Sequence, residues 1–423
     1  MGARVGWGFG DQAVSSLGNF LLGFLVARNV DTATFGAFSI AYTTYVVVIG
    51  ILRGAVAQPL MIRYSATDAS RWRDASARAS GFALLAGLVV AAGCLAVGLA
   101  IGSKVGLSLA AMAITLPALL VQDTWRFALF AQDRGRSAFI NDLIWLGIQL
   151  PALAFAFSFE ADGDIVALAL LAWGLAGTVA ALVGCWQVGV VPRPAASRAW
   201  LGEHRALIPR FVAEATASLT SSQLSLYGVG ALAGLATLGE LRVGQLLIGP
   251  VLVAFIGLQL VALPQAVRAL GHSVGRLRRL CLAAGGGMAA IAVAWGAFIS
   301  LIPDQIGQQL LGANWAPAER LVFVLALGLA ASSVSSGALI GLRAFAAAPR
   351  TLRATVVSST IATIATVGGA VLAGAMGAAL GILIAHTAMV PLWWWEFETE
   401  ARSRPVASDS TGAAQPPVEP VSL

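Results

Sequence analysis

The sequence predicts an all-α polytopic membrane protein with about twelve transmembrane helices in two pseudo-symmetric six-helix lobes. Three observations predict it: an apolar composition, its division into helix-length blocks, and a weak internal duplication. Hydrophobic residues make up 58% of the 423 and charged residues 11%, with a mean hydropathy of +0.83, whereas soluble domains carry roughly a quarter charged residues. The apolar residues fall in blocks of about 20, enough to cross a hydrocarbon core of roughly 30 Å as helices.

The expected spans are 7–29, 36–60, 79–101, 106–131, 138–158, 165–187, 207–233, 240–263, 280–302, 319–343, 350–374 and 376–395. Asp11, Gln12, Ser15, Ser16 and Asn19 interrupt the first block, and no small-residue cleavage site follows it, so it reads as a retained helix and not a signal peptide. These spans divide the chain into a lobe over 1–195, a linker over 196–206, a second lobe over 207–400 and a disordered tail over 401–423, rich in Pro, Ser and Val.

Alternate connections are basic. Arg63, Arg71, Arg73 and Arg78 follow the second span, Arg134 and Arg136 the fourth, and Arg193, Arg198, Arg205 and Arg210 surround the linker. Arg268, Arg276, Arg278 and Arg279 follow the eighth span, Arg350 and Arg353 the tenth, and Arg402 and Arg404 the last. The positive-inside rule then puts both termini in the cytoplasm, which an even number of spans satisfies. Trp7 and Trp393, Trp394 and Trp395 sit where interfacial anchors belong. The net charge of +6 is thus an orientation signal, with no basic patch for nucleic acid.

The duplication matches ATFGAF at 33–38 with ATLGEL at 236–241. The same offset aligns Asp11 with Glu214, Ser15 with Ser218 and Asn19 with Ser222; a two-residue shift aligns AQPLMIR at 57–63 with ALPQAVR at 262–268. Two six-helix halves that start on the same side are parallel repeats, related by an axis along the membrane normal, with a cavity between them. Residues at i, i+4 and i+8 share a helix face. The stripes 11/15/19 and 214/218/222 are therefore expected to line that cavity, because lipid disfavours them.

SLGNFLLGFLVARNVDTATFGAFSIAY at 16–42 and LLGANWAPAERLV at 310–322 resemble the polysaccharide and O-antigen flippases of the multidrug/oligosaccharidyl-lipid/polysaccharide (MOP) exporter superfamily. Many relatives continue past the twelfth helix. The resemblance implies a two-lobed, MATE-like transporter in the bacterial inner membrane, moving an undecaprenyl-pyrophosphate-linked oligosaccharide among membrane lipids, with polysaccharide assembly proteins as partners. It also implies that Arg28, the arginine after the first helix, contacts substrate phosphate; an interfacial arginine has a simpler account too.

Cofactor and metal chemistry find little support. A P-loop needs Gly-Lys-Ser/Thr, and the sole lysine, Lys104, follows Ser103. GVGALA at 228–233 imitates a dinucleotide fingerprint inside a span, where close helix packing is the better account. Asp162-Gly163-Asp164 has the form of a glycosyltransferase metal motif, but it falls in a connection on the outer side, where a hydrated loop explains it. His204, His272 and His386 are isolated, and Cys94, Cys185 and Cys281 lack C-x-x-C spacing. No cofactor, metal or catalytic residue is expected.

The buried ionisable residues are the candidates: Asp11, Arg53, Asp123, Arg126, Asp142, Glu214 and His386. A mid-membrane charge costs roughly 2.5–3.5 kcal/mol, so such groups face a cavity or a partner. Arg53 and Arg126 are candidates to hold a substrate phosphate. Against this, Arg53 can pair with a carboxylate such as Asp11, and Asp123 can pair with Arg126 three residues on. Asp11, Glu214 and Asp123 are candidates for gating or ion coupling; solvated or structural carboxylates are the plainer reading. Asp142 and His386 stay unassigned. A multidrug antiporter is the alternative within transport, and a membrane-embedded sugar polymerase or glycosyltransferase the alternative outside it.

Overall fold

The computed structural model describes residues 2–65, 67–159 and 165–403, except the side chains of 2–5, 217–222, 256, 257 and 259–261. The helices are α1 (Gly2–Asn29), α2 (Thr32–Ala55), α3 (Ala57–Arg63), α4 (Ala69–Ile101), α5 (Lys104–Ala131), α6 (Gly135–Ala156) and α7 (Ile165–Val188). There follow α8 (Ser197–Glu203), α9 (Ile208–Leu232), α10 (Leu235–Leu270), α11 (Val274–Ser300), α12 (Asp304–Leu311), α13 (Trp315–Ala344) and α14 (Ala348–Ser403).

Among the described residues, nine helical stretches are long and apolar enough to cross a membrane. One of them, α14, is two spans: Ala373 and Gly374 leave helical geometry, with Gly374 at φ +59, and bend it into a hairpin. The two arms pack backbone to backbone, Gly369 against Gly377 and Gly381 against Ala365. α1 and α9 are long enough to span but more polar than the rest, and both border the cavity described below. The total is the expected twelve.

Local chemistry sets the boundaries. Asp31 caps α2 by accepting from Thr34 N at 2.9 Å, and Asp68 caps α4 through Ser70 N and Arg71 N. Gly102 ends α4 at φ +57, a backbone that glycine adopts without a Cβ penalty. Pro59 lacks the N–H that would bond Ala55, and the helix breaks between α2 and α3 at Val56. Pro117, Pro250 and Pro264 stay inside continuous helices.

The orphaned Ala55 carbonyl finds another donor, the indole Nε1 of Trp200 at 3.1 Å. Trp200, fully buried, thereby docks the linker helix α8 onto the N-terminal lobe. Arg78 pairs with Glu203 at 2.6 Å, and the Tyr64 hydroxyl donates to Glu203 at 2.7 Å. Burial pushes the Glu203 carboxyl up, yet these two bonds outweigh it and hold the group below its ordinary value. Burial also holds the neighbouring His204 imidazole below its ordinary value.

Two expectations need amending. The spacing of Gly230 and Gly234, Gly337 and Gly341, and Gly377 and Gly381 predicts close helix packing; Gly234 instead sits at φ +91 in the turn before α10 with no neighbour within 4 Å, while the other two pairs do make close contacts. The expected tail begins late, because α14 runs through Ser403; residues 404–423, like Asp162-Gly163-Asp164, lie outside the described residues.

Candidate functional site

The basic connections meet at one end of the bundle, where Arg193 bonds Asp74, Arg278 bonds Glu398 and Arg350 bonds Glu396. This end is called the basic face. Glu396, fully buried, also pairs with Arg353.

Inside the N-terminal lobe, α1, α2, α5 and α6 bring five charges together. Arg53 on α2 grips Asp123 on α5 with two nitrogens, Nε to Oδ2 at 3.0 Å and the terminal nitrogen to Oδ1 at 2.7 Å. Its guanidinium also lies over the Phe127 ring, 5.3 Å from the centroid. One turn on, Arg126 donates to Asp11 on α1 at 2.7 Å and lies 3.5 Å from Asp142 on α6. Gln122 donates to Asp142 at 2.8 Å and to Asn141 at 3.1 Å. Three carboxylates thus face two guanidinium groups, and Asp11 Oδ1 and Asp142 Oδ2 accept no hydrogen bond among the described residues. Breaking a buried pair costs about 3–5 kcal/mol because the survivor stays uncompensated, so these contacts pin the four helices in register.

Several expectations shift here. Asp123 and Arg126 do not pair within their helix: at three residues apart they point to different neighbours, Asp123 to α2 and Arg126 to α1 and α6. The carboxylate opposite Arg53 is Asp123 and not Asp11. The stripe 11/15/19 does not share one wall. Asp11 is fully buried inside the lobe, Ser15 faces a void of about 20 Å³ beside Asp142, and Asn19 alone also reaches the central cavity. Glu214 is exposed near the start of α9, unlike its repeat partner Asp11; Ser218 and Ser222 lie on α9, with side chains outside the described residues. Arg28 is exposed at the end of α1 away from the basic face.

The central cavity lies between the lobes and measures about 990 Å³. α1 contributes Ser16, Asn19 and Phe20, α2 Phe38 and Tyr42, α9 Gln223 and Ser225, α10 Arg242 and Gln245, and α14 Thr363, Thr366 and His386. Neither Asp nor Glu lines it among the described residues. Among the described residues, Arg242 is its one arginine, and its guanidinium has no carboxylate partner, only the Gln245 side-chain oxygen at 3.3 Å. Arg53, Arg126 and Arg28 do not line it. His386 donates from Nδ1 to the Gly328 carbonyl at 3.2 Å and lines the cavity.

Sequence reasoning missed Arg242. An eighth span starting at 240 puts residue 242 at the membrane boundary, where arginine is unremarkable. The helix begins at Leu235, so Arg242 lies two turns inside. The duplicated turn gives no better start, since its offset carries residue 36 only to 239.

No protein-family model and no curated protein matches this sequence. Solved structures do. The inward-facing conformation of a multidrug resistance MATE family transporter of the MOP superfamily superposes with a TM-score of 0.70 at 14% identity, over 92% of this chain and 95% of that chain. The inward closed conformation of the lipid II flippase MurJ gives 0.63 at 11% identity, over 93% and 89%. An outward-facing conformation of a MATE family transporter gives 0.54 at 15% identity, over 93% of both chains. Two six-helix lobes around a central cavity are therefore the fold this chain shares with the MATE and MurJ transporters of the MOP superfamily.

Proposed function

We propose that this chain is a MOP-type transporter that moves a lipid-linked, anionic oligosaccharide across the bilayer by alternating access. The observation that carries the reading is Arg242, an arginine without a carboxylate partner in an interlobe cavity lined by no acidic residue among the described residues. A half-buried guanidinium without a counter-ion in a membrane cavity is costly, and a phosphate oxygen pair matches its fork. Gln223, Gln245, Ser225 and Thr363 on the same walls supply sugar-type hydrogen bonds. A cationic drug would meet Arg242 with no carboxylate to offset it, which disfavours the multidrug antiporter.

The cavity edge supports a lipid tail. Leu17 on α1 and Leu252 and Val253 on α10 line the cavity and are each 45–47% exposed. An apolar slot between α1 and α10 would let a prenyl chain remain in the bilayer while its headgroup occupies the cavity. On the other side, α2 lies along α9, from the Thr44–Tyr227 hydroxyl pair at 2.8 Å to Gly54 against the Phe211 backbone.

With the basic face in the cytoplasm, an undecaprenyl-pyrophosphate-linked unit made at the inner leaflet of a bacterial inner membrane fits this arrangement. The surplus carboxylate of the N-terminal cluster is a place for a proton or cation to couple to the cycle, with Asp11 and Asp123 its gating members. The test is the sidedness of the lipid-linked oligosaccharide after depletion of the protein. Accumulation in the inner leaflet is the expected result, and normal sidedness removes the proposal.

A further inference from the structure

The duplicated turn motif also forms a contact between the lobes. Gly36 of ATFGAF and Gly239 of ATLGEL occupy the same repeat position, as do Thr32 and Leu235. A Cβ on Gly36 would collide with the Leu235 carbonyl oxygen, and one on Gly239 with the Thr32 carbonyl oxygen. The contact is thus reciprocal: each lobe offers a glycine to the other lobe's helix start. It sits at the ends of α2 and α10 remote from the basic face, above Phe35, Phe38 and Arg242 of the cavity wall.

Beside it, Asn314 crosses from the C-terminal lobe. It is fully buried, and its amide nitrogen donates to the Ala27 carbonyl at 2.5 Å and the Val30 carbonyl at 2.6 Å. The last carbonyls of a helix have no partner within it, so one lobe caps the first helix of the other. Gly312, at φ +57, makes this approach possible, since a Cβ there would lie 2.9 Å from the Arg28 carbonyl oxygen.

We propose that the reciprocal glycine contact and Asn314 together form the gate on the face away from the basic loops. The cavity cannot open there without parting Gly36 from Leu235 and Gly239 from Thr32 and uncapping α1. The two parts act differently. The glycines permit a backbone approach that any side chain would block, a steric condition for closure. Asn314 supplies directional bonds between the lobes, but its Oδ1 is buried with no hydrogen-bond partner among the described residues. An unsatisfied buried oxygen lowers the net value of the contact, so the lock holds and still releases.

The inference presupposes alternating access but not a particular substrate, and its test needs none. Full-length protein without its native cysteines carries a Leu329→Cys reporter on the cavity wall, probed with a membrane-impermeant maleimide from the face away from the basic loops. Gly36→Val and Gly239→Val should each raise the labelling rate about tenfold, one decade in the closed-to-open ratio. Asn314→Ala should raise it about threefold, and each variant should slow labelling from the basic face. Unchanged rates in folded Gly36→Val and Gly239→Val protein overturn the gate. If the valine variants do not fold, Asn314→Ala decides alone, and an unchanged rate there overturns it as well. Failure here leaves the oligosaccharide reading to be judged separately by the sidedness assay.

Discussion

The two lobes share a six-helix plan and differ in what fills it. The N-terminal lobe buries Asp11, Asp123, Arg126 and Asp142 with Gln122, Asn141 and Gln149. In the C-terminal lobe, the buried polar groups among the described residues are Asn314, Ser333, Ser335, Thr366 and Glu396. Ser333, Ser335 and Thr366 return their hydroxyls to carbonyls four residues back in their own helix, and the one buried charge, Glu396, sits at the basic face. Helices of this lobe meet through small residues, as where Gly285 touches the Ser333 carbonyl and Gly337 the Cys281 carbonyl. Duplication preserved the architecture while the ion pairs away from the basic face gathered in one lobe, and the cavity arginine arose in the other.

The comparison is broken most forcefully at Arg126. Arg126→Ala leaves Asp11 and Asp142 facing each other without compensation and should cost about 3–5 kcal/mol, seen as loss of folded protein in size-exclusion profiles and a lower melting temperature. Adding Asp11→Asn should restore part of it. Next comes Arg53. Arg53→Ala should destabilise by about 2 kcal/mol, less than a fully buried pair because the guanidinium side chain is 39% exposed, and the Arg53→Ala, Asp123→Ala double variant should be no worse than the single one. Additive losses would mean that the pair is not coupled.

In the C-terminal lobe the corresponding effect is smaller. Glu396→Gln retains the volume but loses the pairing with Arg350 and Arg353, for an expected cost of about 1–2 kcal/mol in the same melting assay. Equal costs for Arg126→Ala and Glu396→Gln would erase the contrast between the lobes.

Much of this was legible in the residues, and the remainder was hidden for identifiable reasons. Twelve apolar blocks yield twelve spans because each block must cross a fixed hydrocarbon thickness. The buried ionisable set was legible too, since Asp11, Arg53, Asp123, Arg126 and Asp142 stand out against leucine and alanine. Their partners were not. Spacing along α5 places Asp123 and Arg126 within reach of each other, and only the packing of α1, α2 and α6 around that helix draws them apart. Arg242 was obscured by a boundary error of about one turn, enough to move a half-buried cation of the cavity wall to the interface. The stripe through Asp11, Ser15 and Asn19 was a sound reading of one helix face, but in α1 that face is split between lobe interior and cavity.

The smallest expected effect lies at the docked linker. His204 is buried among Tyr64, Trp200, Glu203 and the arginines Arg63 and Arg78. Its folded value lies below its free value, so docking favours the neutral ring. Docking strength should be full above about pH 6.5 and fall as the pH drops through that point. Protease cleavage within 197–207 should accelerate about threefold between pH 7.5 and 5.5, and His204→Gln should remove the dependence.

The central claim, that Arg242 holds an anionic headgroup between the lobes, is tested most directly in proteoliposomes carrying a fluorescent polyprenyl-diphosphate sugar. Arg242→Gln should melt no lower than the wild-type protein, because no ion pair is lost, while the variant loses translocation and Arg242→Lys retains part of it. Translocation by Arg242→Gln at the wild-type rate would contradict the account.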